Sequence, residues 1–165
     1  MTDDALFNEI QDLNPGEREK IHKLIHALKR SRVSPLAFIE ELMHFERGEE
    51  IERERLYEHK MEVTDVLKNR FGMLHGGITA TFIDTAMGET VFQMTGSTNG
   101  AVTLDLKVNF ITPAYDGWLT AKTEVVKKGK TIIVMHTRVY DEKDDVIATA
   151  TGTFYRLKHQ PGPKA

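Results

Sequence analysis

The sequence predicts an α+β domain in which an antiparallel β-sheet wraps around one long central helix. The helix is predicted because residues 76–94 are apolar at helical spacing for about five turns. The sheet is predicted because residues 57–64 and 100–156 alternate apolar with polar side chains, as half-buried strands do. Short turns separate the last four strands, so we expect strands that follow one another in the chain to pair antiparallel.

A helical extension is predicted at residues 1–48. Residues 2–13 form one amphipathic pattern, and Asn14-Pro15-Gly16-Glu17 begins a second helix with a capping residue, a proline and an acidic residue in the favoured order. Ser34-Pro35 begins a third helix, which Gly48 should end. We expect this extension to pack on the main domain or on a partner subunit.

The main domain is predicted at residues 49–158. It should contain a first strand, in which His59 is interpreted as a packing or surface histidine, then the central helix and four further strands. The last residues, 159–165, are predicted to form a flexible tail because they include Pro161-Gly162-Pro163.

Composition excludes several classes of function. Residues 1–60 hold 10 Lys and Arg against 14 Asp and Glu, so the helical extension lacks the net positive charge of a nucleic-acid-binding module. The chain has no cysteine, which excludes thiol nucleophiles and thiolate metal sites. It also has no apolar run approaching 18 residues and no signal-peptide pattern, so we expect a cytoplasmic protein without a membrane partner.

The segment Asn69–Met94 carries most of the functional argument. Gly76 and Gly77 fit the start of the helix, where backbone N–H groups lack intrahelical partners and could bind a carbonyl or oxyanion. Asp84 is expected to be buried in the helix, where a carboxylate must be paired or used. It is either functional or satisfied by a threonine hydroxyl or by a donor from another subunit.

The spacing of these groups favours a site shared between subunits. Gly76 and Asp84 are eight residues apart, or roughly 12 Å along a helix. One carbonyl group could not easily contact both in the same chain. If both are catalytic, two antiparallel copies of the helix would each supply one group, and the open edges of the predicted sheet also favour a dimer.

Other common sites lack their patterns. No HxH, HxxxH or HxxE pattern accompanies His75 and Asp84, so no metal site is expected there. No Gly-x-Ser-x-Gly elbow supports a Ser-His-Asp triad, and the Gly76-Gly77 pair lacks the spacing of a phosphate-binding P-loop.

One combination of residues resembles a known family. The pattern Asn-x-x-Gly-x-x-His-Gly-Gly is followed seven residues later by Asp, and the strand at 100–110 and the Lys128-Gly129-Lys130 hairpin add to the likeness. Over residues 55–157 the chain is similar to the hotdog-fold acyl-CoA thioesterases of the phenylacetate-degradation (PaaI-like) type. The helical extension is not part of that family core.

The resemblance implies a role for each matching residue. The Gly76 amide would polarise the thioester carbonyl, and Asn69 would help to hold that carbonyl or the attacking water. Asp84 of the neighbouring subunit would act as general base or as nucleophile, two routes that stay open. Thr103 matches a hydroxyl near the water, although alternation puts it opposite the apolar face of its strand, and His75 would mainly fix the turn.

Further residues are candidates for substrate binding. The lysines around the Lys128-Gly129 hairpin could meet the phosphates of coenzyme A or simply be solvated, and the helix residues could touch an acyl or aromatic group or simply pack in the core. These candidates are Gly77, Phe82, Met87, Lys127, Lys128 and Lys130.

The leading hypothesis is therefore hydrolysis of acyl-CoA or aryl-CoA thioesters by a homo-oligomer, either a dimer or a dimer of dimers. We expect no metal and no cofactor apart from the coenzyme A of the substrate. The alternative is a non-catalytic acyl-CoA sensor that signals through the N-terminal helices. A hydratase of the same fold is disfavoured because its usual pairing of a helix-start Asp with a nearby His is not evident.

Overall fold

The computed structural model describes residues 3–51, 55–95 and 100–157, and the chain forms two compact units, Met1–Leu42 and Met43–Ala165. The predicted flexible tail at 159–165 lies outside the described residues. No helix in the described parts of the chain is both long enough and apolar enough to cross a membrane.

The N-terminal unit contains the helices α1 at Asp3–Gln11, α2 at Pro15–Arg30 and α3 at Phe38–Leu42. The predicted capping pattern at the start of α2 is confirmed. The Asn14 side chain accepts a hydrogen bond from the Glu17 N–H, and the Glu17 carboxylate accepts one from the Asn14 N–H. These bonds satisfy donors that the first helical turn would otherwise leave unpaired.

The prediction for the third helix is wrong at both ends. α3 begins at Phe38, four residues after Ser34. α3 stops six residues before Gly48, because His44 has a left-handed backbone with φ of 49°. Beyond that residue, Glu46 pairs with Lys60 as an isolated antiparallel bridge. Residues 43–48 therefore run along the sheet unit instead of continuing a helix.

In its described residues the second unit combines a six-stranded antiparallel sheet with one long helix, α4, at Gly76–Thr95. The strands are β1 Glu50–Ile51, β2 Leu56–Glu62, β3 Ala101–Phe110, β4 Trp118–Lys128, β5 Ile132–Tyr140 and β6 Val146–Arg156. α4 packs against β2, β3, β4, β5 and β6. The predicted α+β architecture, with the sheet around a central helix, is confirmed.

One expected pairing is wrong. The sheet order is β1-β2-β4-β5-β6-β3, so β3 pairs with β6 and not with β4, the next strand in the chain. The link at 111–117 crosses the end of the sheet. Along it, the Ile111 N–H donates to the Ile147 carbonyl, and the Gly117 carbonyl accepts from the Val63 N–H. Seven extended residues reach about 24 Å and three strand spacings need only about 14 Å, so a short link does not force adjacency.

α4 buries one face. Its buried residues are Thr79, Phe82, Ile83, Ala86, Met87, Thr90 and Val91. On another face, Thr81, Asp84, Thr85 and Gly88 are partly exposed and form what we call the exposed stripe of α4. The expectation that Asp84 is buried is therefore wrong for a single chain, because the apolar residues that predicted burial face the sheet and Asp84 does not.

His59 lies in the core of the sheet unit, where it stacks on Phe45 with ring centroids 5.6 Å apart. Its Nδ1 accepts a hydrogen bond from the Gly48 N–H at 3.2 Å. Its Nε2–H donates to Thr90 Oγ1 at 3.3 Å, since the hydroxyl hydrogen of Thr90 is used within α4. Burial, with a smaller contribution from the charge of Arg47, lowers the pKa of His59 to about 4. The interpretation of His59 as a packing histidine is confirmed.

Candidate active site

The loop before α4 is closed by two side chains. The side-chain oxygen of Asn69 accepts hydrogen bonds from Phe71 N–H at 2.8 Å and from Met73 N–H at 3.4 Å. His75 Nδ1 accepts one from Gly77 N–H at 2.9 Å, so the imidazole caps the first turn of the helix. The oxygen of Asn69 is therefore committed to the turn, whereas its NH₂ group can still donate to a ligand.

Gly76 is the first residue of α4, and no described residue accepts a hydrogen bond from its N–H. Two later amides of the turn, those of Ile78 and Thr79, both donate to the His75 carbonyl. The positive end of the helix dipole lies at the Gly76 amide. A Cβ at this position would meet only the Phe110 ring, at an ordinary 3.5 Å, so packing within the chain does not require glycine here.

An apolar cavity of about 280 Å³ adjoins Gly76 at the start of α4. Its wall includes Met73 and Leu74 of the loop before the helix, Ile111 and Pro113 of the 111–117 link, Phe110 at the end of β3 and Ile147 of β6. The amide of Gly76 therefore borders a space that suits an uncharged group better than a phosphate.

Asp84 lies on the exposed stripe of α4 and accepts a hydrogen bond from Thr103 Oγ1 at 2.7 Å. Thr103 belongs to β3, so this bond joins the helix to an edge strand of the sheet. Because Gly76 and Asp84 are separated by eight residues of continuous helix, the rise between them is about 12 Å. A single carbonyl group cannot contact both within one chain.

A β-bulge at Leu104 turns Thr103 toward the helix. β3 pairs with β6 in register from Phe110 to Asp105, and the register then shifts so that Thr103 lies opposite Phe154. Phe154 is buried, and directly opposite residues of an antiparallel pair share a face. The prediction that Leu104 occupies the core face and Thr103 the opposite one is therefore wrong. Leu104 is 57% exposed, and the bulge has re-aimed its neighbour.

The lysines at the hairpin between β4 and β5 occupy two environments. Lys127 and Lys128 line a cavity of about 610 Å³ near the end of α4, whereas Lys130 is not among its lining residues. Lys128 Nζ donates to the Met94 carbonyl at 3.0 Å, where the helix dipole favours a cation. Lys127 and Lys128 therefore border a space large enough for a ligand.

Sequence reasoning missed Arg55, which lines the same cavity together with Glu50 and Tyr57. Arg55 directly precedes β2 and has a left-handed φ of 51°. Among the described residues that line the cavity, Arg55, Lys127 and Lys128 are cationic and Glu50 is the one carboxylate. No periodic signal distinguishes this arginine from its charged neighbours, so the sequence offers no means of finding it.

Phe82 and Met87 lie inside the sheet unit and are fully buried in a single chain. Phe82 makes an edge-to-face contact with Phe45, with centroids 6.2 Å apart, and Met87 packs against Gly152. Neither residue lines the cavities at the two ends of α4. Of the two interpretations, packing in the core and contact with a ligand, core packing accounts for the positions of both side chains.

Known proteins are similar to this chain over the segment that contains the candidate site. The Saccharolobus solfataricus protein SSO1253, whose name provisionally calls it an esterase, is 31% identical to this chain over 137 residues. The match covers 82% of this chain and 90% of the relative. A family model of the thioesterase superfamily matches residues 71–148, which contain Gly76, Asp84 and Thr103. The chain belongs to the thioesterase superfamily.

Solved structures agree with membership of the thioesterase superfamily. The BH2602 protein from Bacillus halodurans, crystallised with CoA, has a TM-score of 0.80 and 27% identity, with 90% of this chain and 98% of that chain covered. The E. coli PaaI protein, from the phenylacetic acid degradation operon, shares the fold with a TM-score of 0.67 and 20% identity, covering 84% of this chain and 96% of that chain. The resemblance to hotdog thioesterases is confirmed.

The match with BH2602 also bears on the helical extension of this thioesterase-superfamily chain. Because it covers 90% of this chain, it includes much of residues 1–48 as well as the sheet unit. Although the extension lies outside the family core described above, another solved protein shares much of it.

Among the residues that the structure describes, no group of three or more His, Cys, Asp or Glu side chains is placed to hold a metal ion. The candidate active site of this superfamily member comprises the Gly76 amide, the Asn69 amide group and the Asp84 carboxylate with its partner Thr103.

Proposed function

We propose that this chain hydrolyses acyl-CoA or aryl-CoA thioesters to a free acid and CoA. The observation that carries the proposal is the Asp84 carboxylate, held by Thr103 on an exposed face of the central helix in a member of the thioesterase superfamily. The CoA bound to BH2602 supports coenzyme A as the thiol part of the substrate.

The Gly76 amide supplies the electrophilic side of the proposed site. The thioester carbonyl accepts a hydrogen bond from this N–H, and the positive end of α4 stabilises the negative charge that develops on the oxygen. The NH₂ group of Asn69 donates to the same oxygen or to the attacking water. The apolar cavity beside Gly76 supports an acyl or aryl group in this region.

Asp84 supplies the nucleophilic side. As general base it takes a proton from water while the water oxygen bonds to the carbonyl carbon; the carbon–sulfur bond then breaks, and the thiolate leaves and is protonated. As nucleophile its carboxylate oxygen bonds to the carbonyl carbon and the carbon–sulfur bond breaks, so that the thiolate leaves and is protonated and a mixed anhydride remains; water then hydrolyses the anhydride to the free acid and the Asp84 carboxylate. In both routes the Thr103 hydroxyl holds one carboxylate oxygen, so the other is left for the reaction.

The two halves of the site would come from different subunits. β3 is an edge strand with exposed apolar side chains at Val102, Leu104 and Phe110, and such an edge is a template for pairing with another chain. Two-fold pairing along β3 would bring two α4 helices together antiparallel along their exposed stripes, whose small side chains permit close approach. Gly76 of one chain would then lie near Asp84 of its partner. We expect a dimer or a dimer of dimers.

The nucleotide end of CoA would bind near the end of α4. Lys127, Lys128 and Arg55 line the cavity there, and cationic side chains recognise phosphate groups. Met94, which Lys128 contacts, lies ten residues beyond Asp84, or about 15 Å along the helix. This separation suits a long substrate whose phosphates lie well away from the thioester.

The test is release of free thiol from a panel of short-chain, medium-chain and aryl CoA thioesters by the full-length protein. We expect turnover that Asp84→Asn lowers by at least about a hundredfold. Asp144→Asn is the matched control, because Asp144 is exposed in a turn with φ of 64°, which asparagine accepts.

Two results would contradict the proposal. One is the absence of thiol release from folded wild-type protein across the panel. The other is tight retention of acyl-CoA without turnover, which would support the alternative of an acyl-CoA sensor.

A further inference from the structure

α2 carries two histidines one turn apart, His22 and His26. Both imidazoles are exposed, with Nε2 of His22 and Nε2 of His26 3.1 Å apart and ring centroids 4.3 Å apart. Residues four apart lie on the same face of a helix, so the backbone itself holds the two rings together.

The distance between the two nitrogens fits a shared metal ion. A late transition metal ion binds an imidazole nitrogen at about 2.1 Å, and two nitrogens 3.1 Å apart would then subtend about 95° at the ion. This angle lies between the right angle of square-planar or octahedral coordination and the wider angle of a tetrahedron. Little movement of either ring is needed to bind an ion.

The hydrogen bond between the rings shows what must change on binding. At this contact the Nε2–H of one ring donates a hydrogen bond, and the lone pair of the other ring's Nε2 accepts it. A metal ion needs the lone pairs of both Nε2 atoms, so the ring that donates this hydrogen bond must carry its proton on Nδ1 instead when the ion binds. No redox step and no further reactant are involved.

The arginines one turn away on either side are held elsewhere. Arg18 precedes His22 by four residues, and its guanidinium donates to the carbonyls of Leu13 and Gln11 at 2.8 and 2.5 Å. Arg30 follows His26 by four residues and forms an ion pair with Glu41 at 2.8 Å. Neither cation is therefore directed between the two imidazoles.

We propose that His22 and His26 form a two-point binding site for a divalent late transition metal ion, such as Zn²⁺, Ni²⁺ or Cu²⁺, with water completing the coordination. The two imidazole nitrogens select such ions over Mg²⁺ and Ca²⁺, which prefer oxygen ligands. The site lies on the N-terminal unit and does not depend on the proposed thioesterase activity.

The test uses full-length protein without a histidine tag, titrated with Ni²⁺ or Zn²⁺ in a calorimeter. We expect one ion per chain, with affinity lowered at least about tenfold in His22→Ala and in His26→Ala, because even the loss of an outer-shell partner costs that much. His22→Gln should behave as His22→Ala does. Alanine favours helix, so circular dichroism should show that α2 persists in these variants.

His44→Ala is the matched control, because His44 is exposed in the other unit and its ring is paired with Glu62. Its titration should equal that of the wild type, and Mg²⁺ should give no binding at this site. Nickel or zinc affinity that is unchanged in both His22→Ala and His26→Ala would overturn the proposal, whatever the outcome of the thioester assays.

Discussion

Thr103 Oγ1 donates a hydrogen bond to Asp84 Oδ1 at 2.7 Å and so joins the edge strand β3 to the central helix α4. The bond exists because the bulge at Leu104 shifts the register of β3 and brings Thr103 opposite the buried Phe154. A carboxylate held by one hydroxyl has one oxygen fixed and the other available. This relationship defines the nucleophilic half of the proposed site.

Replacing Thr103 should test that relationship. Thr103→Val keeps the side-chain shape but removes the donor, so we expect kcat to fall about tenfold, which corresponds to about 1.4 kcal/mol of activation free energy. Thr103→Ser retains the hydroxyl and should stay near wild-type activity. Steady-state kinetics with a CoA thioester measures both, with Thr151→Val, at an exposed position of β6, as control. Equal activity of Thr103→Val and wild type would exclude a role for the hydrogen bond.

The central helix could be predicted from sequence because its signal is local. Ile83, Met87 and Val91 recur at helical spacing, and Gly76 marks the helix start. The motif around Asp84 could be recognised for the same reason, since it lies within one continuous segment.

The position of Thr103 could not be predicted, because it depends on a partner strand. The sequence alternates without interruption through β3, and only the pairing with β6 shows that Leu104 is an extra residue. The pairing of β3 with β6 could not be predicted either, because the two strands are far apart in the sequence. The exposure of Asp84 depends on which side of α4 the sheet covers. Arg55 lines its cavity from a left-handed backbone position that no sequence pattern indicates.

Gly76→Ala should separate folding from function. The added Cβ makes only an ordinary contact with the Phe110 ring, so the free energy of unfolding should stay equal or rise by up to about 1 kcal/mol. Activity should fall at least about tenfold, because the methyl group obstructs the approach of a carbonyl to the amide. Gly16→Ala is the control, as Gly16 also lies in a first helical turn with an ordinary contact, here to Asn14. Full activity of a folded Gly76→Ala variant would argue against carbonyl binding at this amide.

The cavity near the end of α4 predicts how the lysines contribute. Replacing Lys127 and Lys128 together by alanine should raise KM for CoA thioesters several-fold at low salt, with little change in kcat, because the charges bind phosphates away from the reaction. Lys130→Ala should have a smaller effect, since Lys130 does not line the cavity. The KM values of these variants at two ionic strengths provide the comparison. A larger effect from Lys130 would place the phosphates elsewhere.

Because His59 is buried with a lowered pKa, we expect the free energy of unfolding to decrease at acidic pH. Burial lowers its pKa in the folded state to about 4, below the ordinary value of 6.5, so the unfolded chain binds the proton more readily between these pH values. This contribution to stability is fully present above pH 6.5 and is lost as the pH falls toward 4, by about 3 kcal/mol in total. Urea unfolding from pH 7 to 4 measures it. His59→Leu should be less stable at pH 7 but show a weaker decline, and an identical decline would assign the acid sensitivity to other groups.

The central claim is that Gly76 of one subunit and Asp84 of another form one site, and subunit mixing tests it most directly. Gly76→Ala and Asp84→Asn chains, whose activities alone should lie at least about tenfold and about a hundredfold below wild type, are unfolded together, refolded at equal concentration and assayed for thiol release. Random pairing into two-fold dimers should restore about a quarter of wild-type activity, because half of the dimers are mixed and each mixed dimer has one intact site. Mixed dimers that form but are no more active than the two parent homodimers would contradict the shared site.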